Sequence, residues 1–294
     1  MTLRFDDAAR ARARTFYETT EPLHVLAYFN SGLDAAMADT GLDGYAWYVG
    51  ARGAPLGDCT GPVVSSTFFN FNPDVVHPAW DRAKAVGLHK VSDRRFQMLD
   101  EMLRVALGER IESPQLPELV QTVYAIAADL PMPGRPLAAA WAHSPRPDGL
   151  HLQLWHALAI VREWRGDGHV AALTAAGLGR VEALVFHEAT HPNPDLRKRG
   201  LGRRISQFSR GWSDSDWETA QSALVQRGLL VVTEDTDQLT AAGGLLYDEL
   251  EMITDDAAAA PWATFDGFDH LIATVRPFVK GVIDSGMLPG TRKK

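Results

Sequence analysis

Residues 212–243 read WSDSDWETAQSALVQRGLLVVTEDTDQLTAAG, and the fold turns on this stretch. Ser213 suits an N-cap, because its hydroxyl can accept a hydrogen bond from the first turn of a helix. Asp216, three residues on, can return that bond as the acid of a capping box. The helix so opened runs to Arg227, and Gly228 ends it. Leu229 to Thr233 and Gln238 to Thr240 then read as short strands around the acidic turn Glu234-Asp235-Thr236-Asp237. A long helix is expected from Ala241 to about residue 259, and a last one from about Phe265 to Ser285.

Working back from that stretch, Leu178 to Thr190 is apolar and helical, and Pro192 and Pro194 halt it. Leu150 to Trp164 is a strong helical run. Gly166-Asp167-Gly168 reads as its stop, with Asp167 capping a next helix, His169 to Ala176. Five prolines (131, 133, 136, 145 and 147) favour a linker from Pro131 to Gly149. The first half opens with a helical pattern over about residues 8–40, in which Leu23, Leu26, Ala27, Leu33 and Met37 share a stripe. Gly50 to Gly57 reads as a connector, and Val63 to Phe71 as an apolar run ended by Asn72-Pro73. Arg95 to Leu107 reads as a helix with Phe96, Leu99, Met102, Leu103 and Ala106 inward. Leu116 to Leu130 is a further helix with Pro117 in its first turn.

The second half echoes the first. Gly41-Leu42-Asp43-Gly44 matches Arg165-Gly166-Asp167-Gly168, and Asn72-Pro73-Asp74 matches Asn193-Pro194-Asp195. Asp100-Glu101 matches Asp248-Glu249. Leu119-Val120 with Thr122-Val123 matches Leu271-Ile272 with Thr274-Val275, and Pro133-Gly134 matches Pro289-Gly290. The offsets run from about 121 to about 156 residues, as insertions in one copy would make them. The expectation is a duplicated module, residues 1–147 and 148–294, folded as an internal pseudo-dimer.

Trp217 to Leu230, the turn after it and Leu239-Thr240-Ala241-Ala242-Gly243 resemble the winged-helix segment of MarR-type proteins, over about residues 178–256. The first half keeps a worn version in Trp80, Ala83, Gly87-Leu88 and Val91-Ser92. The whole chain also resembles a bacterial family described only as helix-turn-helix. The resemblance implies a recognition helix from Trp217, a wing in the hairpin and a long dimerisation helix from Leu239-Thr240. It implies a mainly α fold: a tandem pair of winged-helix, MarR-like repeats forming an intramolecular pseudo-dimer with small β wings, the second repeat keeping the better wing. MarR-type proteins are generally homodimers that bind DNA, and small molecules near the dimer seam.

Composition narrows the classes. The chain has 294 residues, 46 % of them hydrophobic, which suits one large domain or two smaller ones. A net charge of -8 argues against a surface attracted throughout to nucleic acid or anionic lipid. A lone cysteine, Cys59, forms no intrachain disulfide and fits a reducing cytoplasm. Met1 to Arg14 has no apolar core of a secretory signal, and no segment is apolar and long enough to span a bilayer. The expected location is cytoplasmic, with no membrane partner.

The densest polar cluster runs from His151 through Trp155, His156, Arg162, Glu163, Arg165 and Asp167 to His169. His156 and Glu163 are seven apart, on one helix face, and Arg162 and Arg165 can form a cationic edge. The first half adds Glu21, His24, Tyr28 and Arg52, with His24 pseudo-equivalent to His151. Imidazole, guanidinium, carboxylate and indole together suit a polar ligand pocket, or else a buried salt-bridge network that fixes how the repeats dock. The candidate ligand-binding residues are His24, Arg52, Trp155, His156, Arg162, Glu163, Arg165, His169 and His187, for an anionic or aromatic small molecule. His187-Glu188-Ala189-Thr190-His191 fits the zincin pattern His-Glu-x-x-His, which on a helix lets His187 and His191 share a metal. Pro192 and Pro194 and the lack of a third ligand weigh toward ordinary helix-end residues. No nucleophile elbow, Cys-x-x-Cys pair, P-loop or dinucleotide fingerprint is present, so no cofactor is identified.

For DNA, Arg197, Lys198, Arg199, Arg203, Arg204 and Arg210 form a stretch able to grip phosphate. Asp214, Asp216 and Glu218 at the start of the recognition helix, with Glu234, Asp235 and Asp237 in the wing, would meet phosphates and oppose it. Small-molecule binding at the seam, as sensor or sequestering protein, is the leading reading. A MarR-like DNA-binding regulator is the alternative. An enzyme that reuses the fold, with His156, Glu163, His169 or His187 as acid–base groups, is the third.

Overall fold

The computed structural model describes residues 3–196, 200, 202–233 and 236–291. In chain order the helices are α1 (Asp7–Val25), α2 (Leu33–Thr40), α3 (Gly44–Gly53), α4 (Gly61–Thr67), α5 (Pro73–Val86), α6 (Leu88–Leu107) and α7 (Leu116–Ala128). They continue with α8 (Pro136–His143), α9 (Leu150–Ala175), α10 (Arg180–Glu188), α11 (Arg203–Arg210) and α12 (Asp214–Gln226). Strands β1 (Leu230–Val232) and β2 (Asp237–Leu239) follow, then α13 (Ala241–Ala257) and α14 (Phe268–Asp284). The chain divides into two compact units. Unit 1 takes residues 1–59, 78–168 and 255–294, and unit 2 takes 60–77 and 169–254. Each unit draws on both halves of the sequence.

In unit 1, α1 starts where the Asp6 carboxylate accepts the Ala9 N–H at 2.8 Å. Its Ala9, Ala13, Phe16, Thr20 and Leu23 repeat at helical spacing and are buried. They pack against α14, which buries Leu271, Val275, Phe278 and Val282. α6 contacts α2, α3 and α14 and buries Val91, Arg95, Met98, Leu99, Leu103 and Ala106. Phe96, expected inward, is only partly buried, and Arg95 holds a core position instead. In α9, Leu154, Trp155, His156, Ala157, Leu158 and Ala159 are all buried in succession. A helix without a wet side is an interior helix.

Three local expectations change. α9 does not stop at Gly166-Asp167-Gly168 but runs through to Ala175. The Asp167 carboxylate is spent on another helix: it accepts the N–H groups of Leu137 and Ala138 at the start of α8, both at 3.0 Å. Those bonds recruit part of the expected linker into α8. Residues 44–53 are the helix α3, so Arg52 projects from a helix and not from a connector.

Unit 2 holds α10, α11, α12 and the antiparallel pair β1–β2, with Leu230 opposite Leu239. The capping box forms: Ser213 Oγ accepts from Asp216 N at 3.2 Å, and Asp216 Oδ2 accepts from Ser213 N at 2.9 Å. Trp217, Ala220 and Leu224 of α12 bury against Leu173, Val185, Phe186 and Leu230 in one core. Thr190 adds a short bridge to the hairpin, donating to the Asp237 carbonyl at 2.8 Å and accepting from Leu239 N at 2.9 Å. Gly243 lies against the hairpin's root, where a Cβ would stand 2.1 Å from the Leu229 carbonyl oxygen. The Gly of Leu239-Thr240-x-x-Gly243 is thus a close-approach position.

Among the described residues β1–β2 is the sole sheet. The first half has no wing, because Gly87 alone, at φ 101°, joins α5 to α6. One of the quoted sequence matches falls on unlike structure: Asp43 is an N-cap in extended conformation, whereas Asp167 lies inside α9. Another falls on like local structure: Asn72 accepts from Asp74 N at 2.9 Å and Asn193 from Asp195 N at 3.0 Å, although only Asn72 goes on to open a helix. The turn at residues 41–43 has the same local geometry as Gly177-Leu178-Gly179. Gly41 and Gly177 both have φ 67°, a left-handed value that favours glycine. Leu42 N donates to the Met37 carbonyl and Leu178 N to the Leu173 carbonyl, and Asp43 and Gly179 share extended angles within 1° of each other. Among the described residues no single helix is long and apolar enough to cross a membrane.

Candidate ligand site and helix-turn-helix segment

Unit 1 gathers much of the predicted polar cluster, but as packed interior. Glu163, on α9, is 1 % exposed. Arg52 reaches it from α3 with Nε at 2.9 Å and Nη2 at 2.8 Å, a bidentate fork. Arg162 adds a contact at 3.1 Å and also grips Glu21. Burial would push the Glu163 carboxyl up, but Arg52 and Arg162 outweigh it and hold it far below the usual carboxylate range. Arg165 turns away to Asp255 at 2.8 Å. His24 stacks on Trp155 with centroids 5.5 Å apart, and Trp155 Nε1 donates to the His24 carbonyl. Burial, then Arg162, lowers the His24 pKa well below its ordinary value.

His156 belongs to a different group from Glu163, despite their shared helix. Its Nδ1 is 2.8 Å from Tyr124 Oη and its Nε2 is 2.8 Å from Ser144 Oγ. Burial lowers its pKa to about 4 and raises that of Tyr124 to about 12, so at neutral pH both are uncharged. The chain Tyr124–His156–Ser144 has no carboxylate to support an imidazolium. At neutral pH it orients a hydroxyl rather than acting as a strong base.

That hydroxyl faces a cavity of about 600 Å³ within unit 1. Phe96 and Trp141 supply its aromatic wall, with Ser144 beside them and Arg104 and Arg146 among its polar groups. Arg104 is tied to Asp100 at 2.9 Å, and Asp100 also holds His151 at 2.6 Å. The hydrogen bonds from Arg104 and His151 keep the Asp100 carboxyl below its ordinary range, although burial opposes them. Arg146 lies over the Tyr124 ring at 4.0 Å. None of the nine predicted ligand residues lines this cavity. Sequence reasoning missed Ser144 and Arg146 because they fall in the expected linker, missed Tyr124 inside the expected helix Leu116 to Leu130, and took Phe96 for plain core. Arg95 was legible: it stands at core spacing between Val91 and Leu99.

His169 and His187 fall in unit 2, their rings 5.3 Å apart, with His169 Nδ1 2.9 Å from Thr254 Oγ1. The His-Glu-x-x-His geometry is not formed. α10 ends at Glu188, and Ala189 is extended with ψ 150°, so His191 leaves the face that carries His187. Glu188 instead accepts from Gly202 N at 2.8 Å and Ser206 Oγ at 2.6 Å, holding the start of α11. Among the described residues no cluster of three or more His, Cys, Asp or Glu is placed to hold a metal.

α11, the turn Gly211-Trp212-Ser213 and α12 form a helix-turn-helix followed by the hairpin. The outward side of α12 exposes Asp214, Ser215, Glu218, Thr219 and Ser222. Arg203 is drawn onto Asp214 at 2.8 Å and Glu218 at 3.6 Å. Hydrogen bonds from Gln207 and Arg203 hold the Asp214 carboxyl below its ordinary range. Arg204 is exposed, and Arg210 lies over the Phe71 ring at 5.5 Å. In the wing, Asp237 takes both hydrogen bonds from Gln221. Arg197, Lys198, Arg199, Glu234 and Asp235 lie outside the described residues.

The model of a family described as a helix-turn-helix family matches residues 13–289, so the chain belongs to that family. No curated protein and no solved structure matches it. The family description suggests a DNA-binding regulator type.

Proposed function

We propose that this helix-turn-helix-family protein binds a small molecule in the unit 1 cavity, as a sensor or a sequestering protein. The observation that carries the reading is the cavity itself: about 600 Å³, with an aromatic wall of Phe96 and Trp141 beside Ser144, Arg104 and Arg146. That volume suits a drug-sized or smaller molecule, and the lining mixes the two aromatic rings with Ser144, Arg104 and Arg146 and with the carboxylates of Asp93, Asp100 and Asp148. Of the residues expected to form the site at the seam, several in unit 1 then serve as support. The Arg52–Glu163–Arg162 network fixes α3 and α9, and His156 fixes Ser144.

The test is a melting-temperature screen with small carboxylates, phenols and amides. Wild-type protein is expected to gain several degrees from at least one compound, as mass action requires of a ligand well above its Kd. Gln97→Trp, a change at an exposed cavity-lining position, should keep the unliganded melting temperature and abolish the gain. A gain unchanged in Gln97→Trp would place the ligand elsewhere.

DNA binding by unit 2 is the second reading. The family description and the order helix, turn, helix, hairpin, long helix favour it, and that order also supports a winged, MarR-like segment. The exposed carboxylates of α12 oppose it. A tandem origin, with halves meeting at residues 147 and 148, has support in the matched turns at Gly41 and Gly177, and in Gly87 and Gly228, each of positive φ and each ending a helix.

A further inference from the structure

Tyr124, His156, Ser144 and the Trp141 carbonyl form a chain of hydrogen bonds in which every proton can be placed. A carbonyl oxygen has no proton to give, so Ser144 Oγ donates to the Trp141 carbonyl at 2.7 Å. A serine hydroxyl holds a single proton. At its 2.8 Å contact with His156, Ser144 Oγ is then the acceptor, and Nε2 carries the imidazole proton. His156 is neutral at pH 7, since burial lowers its pKa to about 4. Its Nδ1 is bare, and Tyr124 Oη donates to it at 2.8 Å. The imidazole thus gives Ser144 a proton instead of taking one, which is the reverse of what activates a serine nucleophile. The hydroxyl has one lone pair left, and Ser144 lines the cavity. Toward a ligand it is an acceptor only.

The wall around Ser144 presents further acceptors. Asp93, Phe96, Gln97, Asp100 and Arg104 line the cavity from α6 at i, i+3, i+4, i+7 and i+11, which is one helical face. Asp100 is held by Arg104 and His151. Asp93, and Asp148 just before α9, are exposed, and among the described residues neither has an ion-pair or hydrogen-bond partner. Of the lining guanidinium groups, Arg104 is matched by Asp100, and Arg146 lies over the Tyr124 ring. Arg95 lies against Trp141 but lines no part of the cavity. The two unmatched carboxylates make the wall attractive to positive charge. Phe96 and Trp141, with ring centroids 6.5 Å apart, add aromatic faces that attract a cation.

We propose that the cavity's ligand is an organic monocation with N–H groups on a flat apolar body, an aromatic amidine or amine in chemical type. The body packs on Phe96 and Trp141, an N–H donates to Ser144 Oγ, and Asp93 and Asp148 balance the charge. This assignment rests on the cavity reading above and adds the ligand's chemical class. Its charge is opposite to that of the anion expected from the sequence.

The test titrates benzamidine, benzamide and benzoate by calorimetry, in phosphate buffer free of other amines and carboxylates. The three probes share a flat body and are cationic, neutral and anionic. The proteins are the wild type, Asp93→Asn/Asp148→Asn, Ser144→Ala and Gln97→Trp. The wild type is expected to bind benzamidine about tenfold or more tighter than benzamide, and benzoate more weakly than either. Asp93→Asn/Asp148→Asn changes two exposed side chains, so it should fold, and its preference for benzamidine should shrink to about threefold or less. Ser144→Ala should weaken benzamidine and benzamide alike and keep their ratio. If it does not fold, Ser144→Cys replaces it, because a thiol is a weak acceptor. Gln97→Trp should bind none of the probes. Benzoate bound as tightly as benzamidine by the wild type, and lost in Gln97→Trp, overturns the cation and leaves the cavity reading standing. A preference undiminished in Asp93→Asn/Asp148→Asn, or benzamide affinity unchanged by loss of the Ser144 hydroxyl, overturns the assignment too. Benzamidine binding that persists in Gln97→Trp puts the cation outside the cavity, and a wild type that binds no probe also overturns the assignment. In those two cases the melting screen decides the cavity on its own.

Discussion

Glu163 faces two guanidinium groups from inside the protein, and its loss would strand both. Glu163→Gln keeps the volume and removes the charge. It is expected to cost about 3–5 kcal/mol, as breaking a buried ion pair from one side does. Chemical denaturation measures it, and a change below about 1 kcal/mol would show that Arg52 and Arg162 find water instead. His156 has the opposite sensitivity. Its folded pKa is about 4, against about 6.5 unfolded, so its contribution is complete above pH 6.5 and is lost as pH falls through 4. His24, lowered in the same direction, adds to the loss. Asp167, raised by burial to about 6, works against them, because its protonated form favours the folded state. The prediction is an unfolding free energy that falls between pH 6.5 and 4, with a shallower fall in His156→Gln. Equal slopes in the two proteins would contradict it. Residue identity made part of this readable. A carboxylate beside arginines in an interior helix implied pairing, and the pairing exists. The partners of His156 were not readable, because Ser144 comes from the residue just after α8, in the expected linker, and Tyr124 from α7, 32 residues away.

At the scale of elements, the stretch from Ser213 to Gly243 was readable because its signals are local: a capping box, a terminal glycine, alternating strands and a close-approach glycine. The region around Gly166 misled because two glycines normally end a helix, whereas here long-range bonds from Asp167 to α8 and the burial of α9 override local propensity. α12 carries its own prediction. Its outward Asp214 and Glu218 repel phosphate, so Asp214→Asn/Glu218→Gln should strengthen retention of duplex DNA about fivefold or more at low salt, in a gel shift with the protein's own promoter region and a random duplex. Tight promoter binding by the wild type that the double variant weakens would contradict this account of α12 and favour the regulator.

Over the whole molecule, the sequence echoes pointed to two halves, whereas the compact units each take pieces from both. Short motifs report local turns, and contact between distant segments leaves little trace in them. That is why the turn at Gly177 was passed over in favour of the similar letters at Gly166. The central claim concerns unit 1: its cavity holds a small molecule. Native mass spectrometry of freshly purified full-length protein, with Gln97→Trp alongside, addresses it most directly. The account predicts a wild-type mass above that of the bare chain by a few hundred daltons or less, or such a mass after incubation with a compound from the melting screen, and the bare mass for Gln97→Trp. Bare wild-type chain under both conditions, or an adduct equally present in Gln97→Trp, would contradict it.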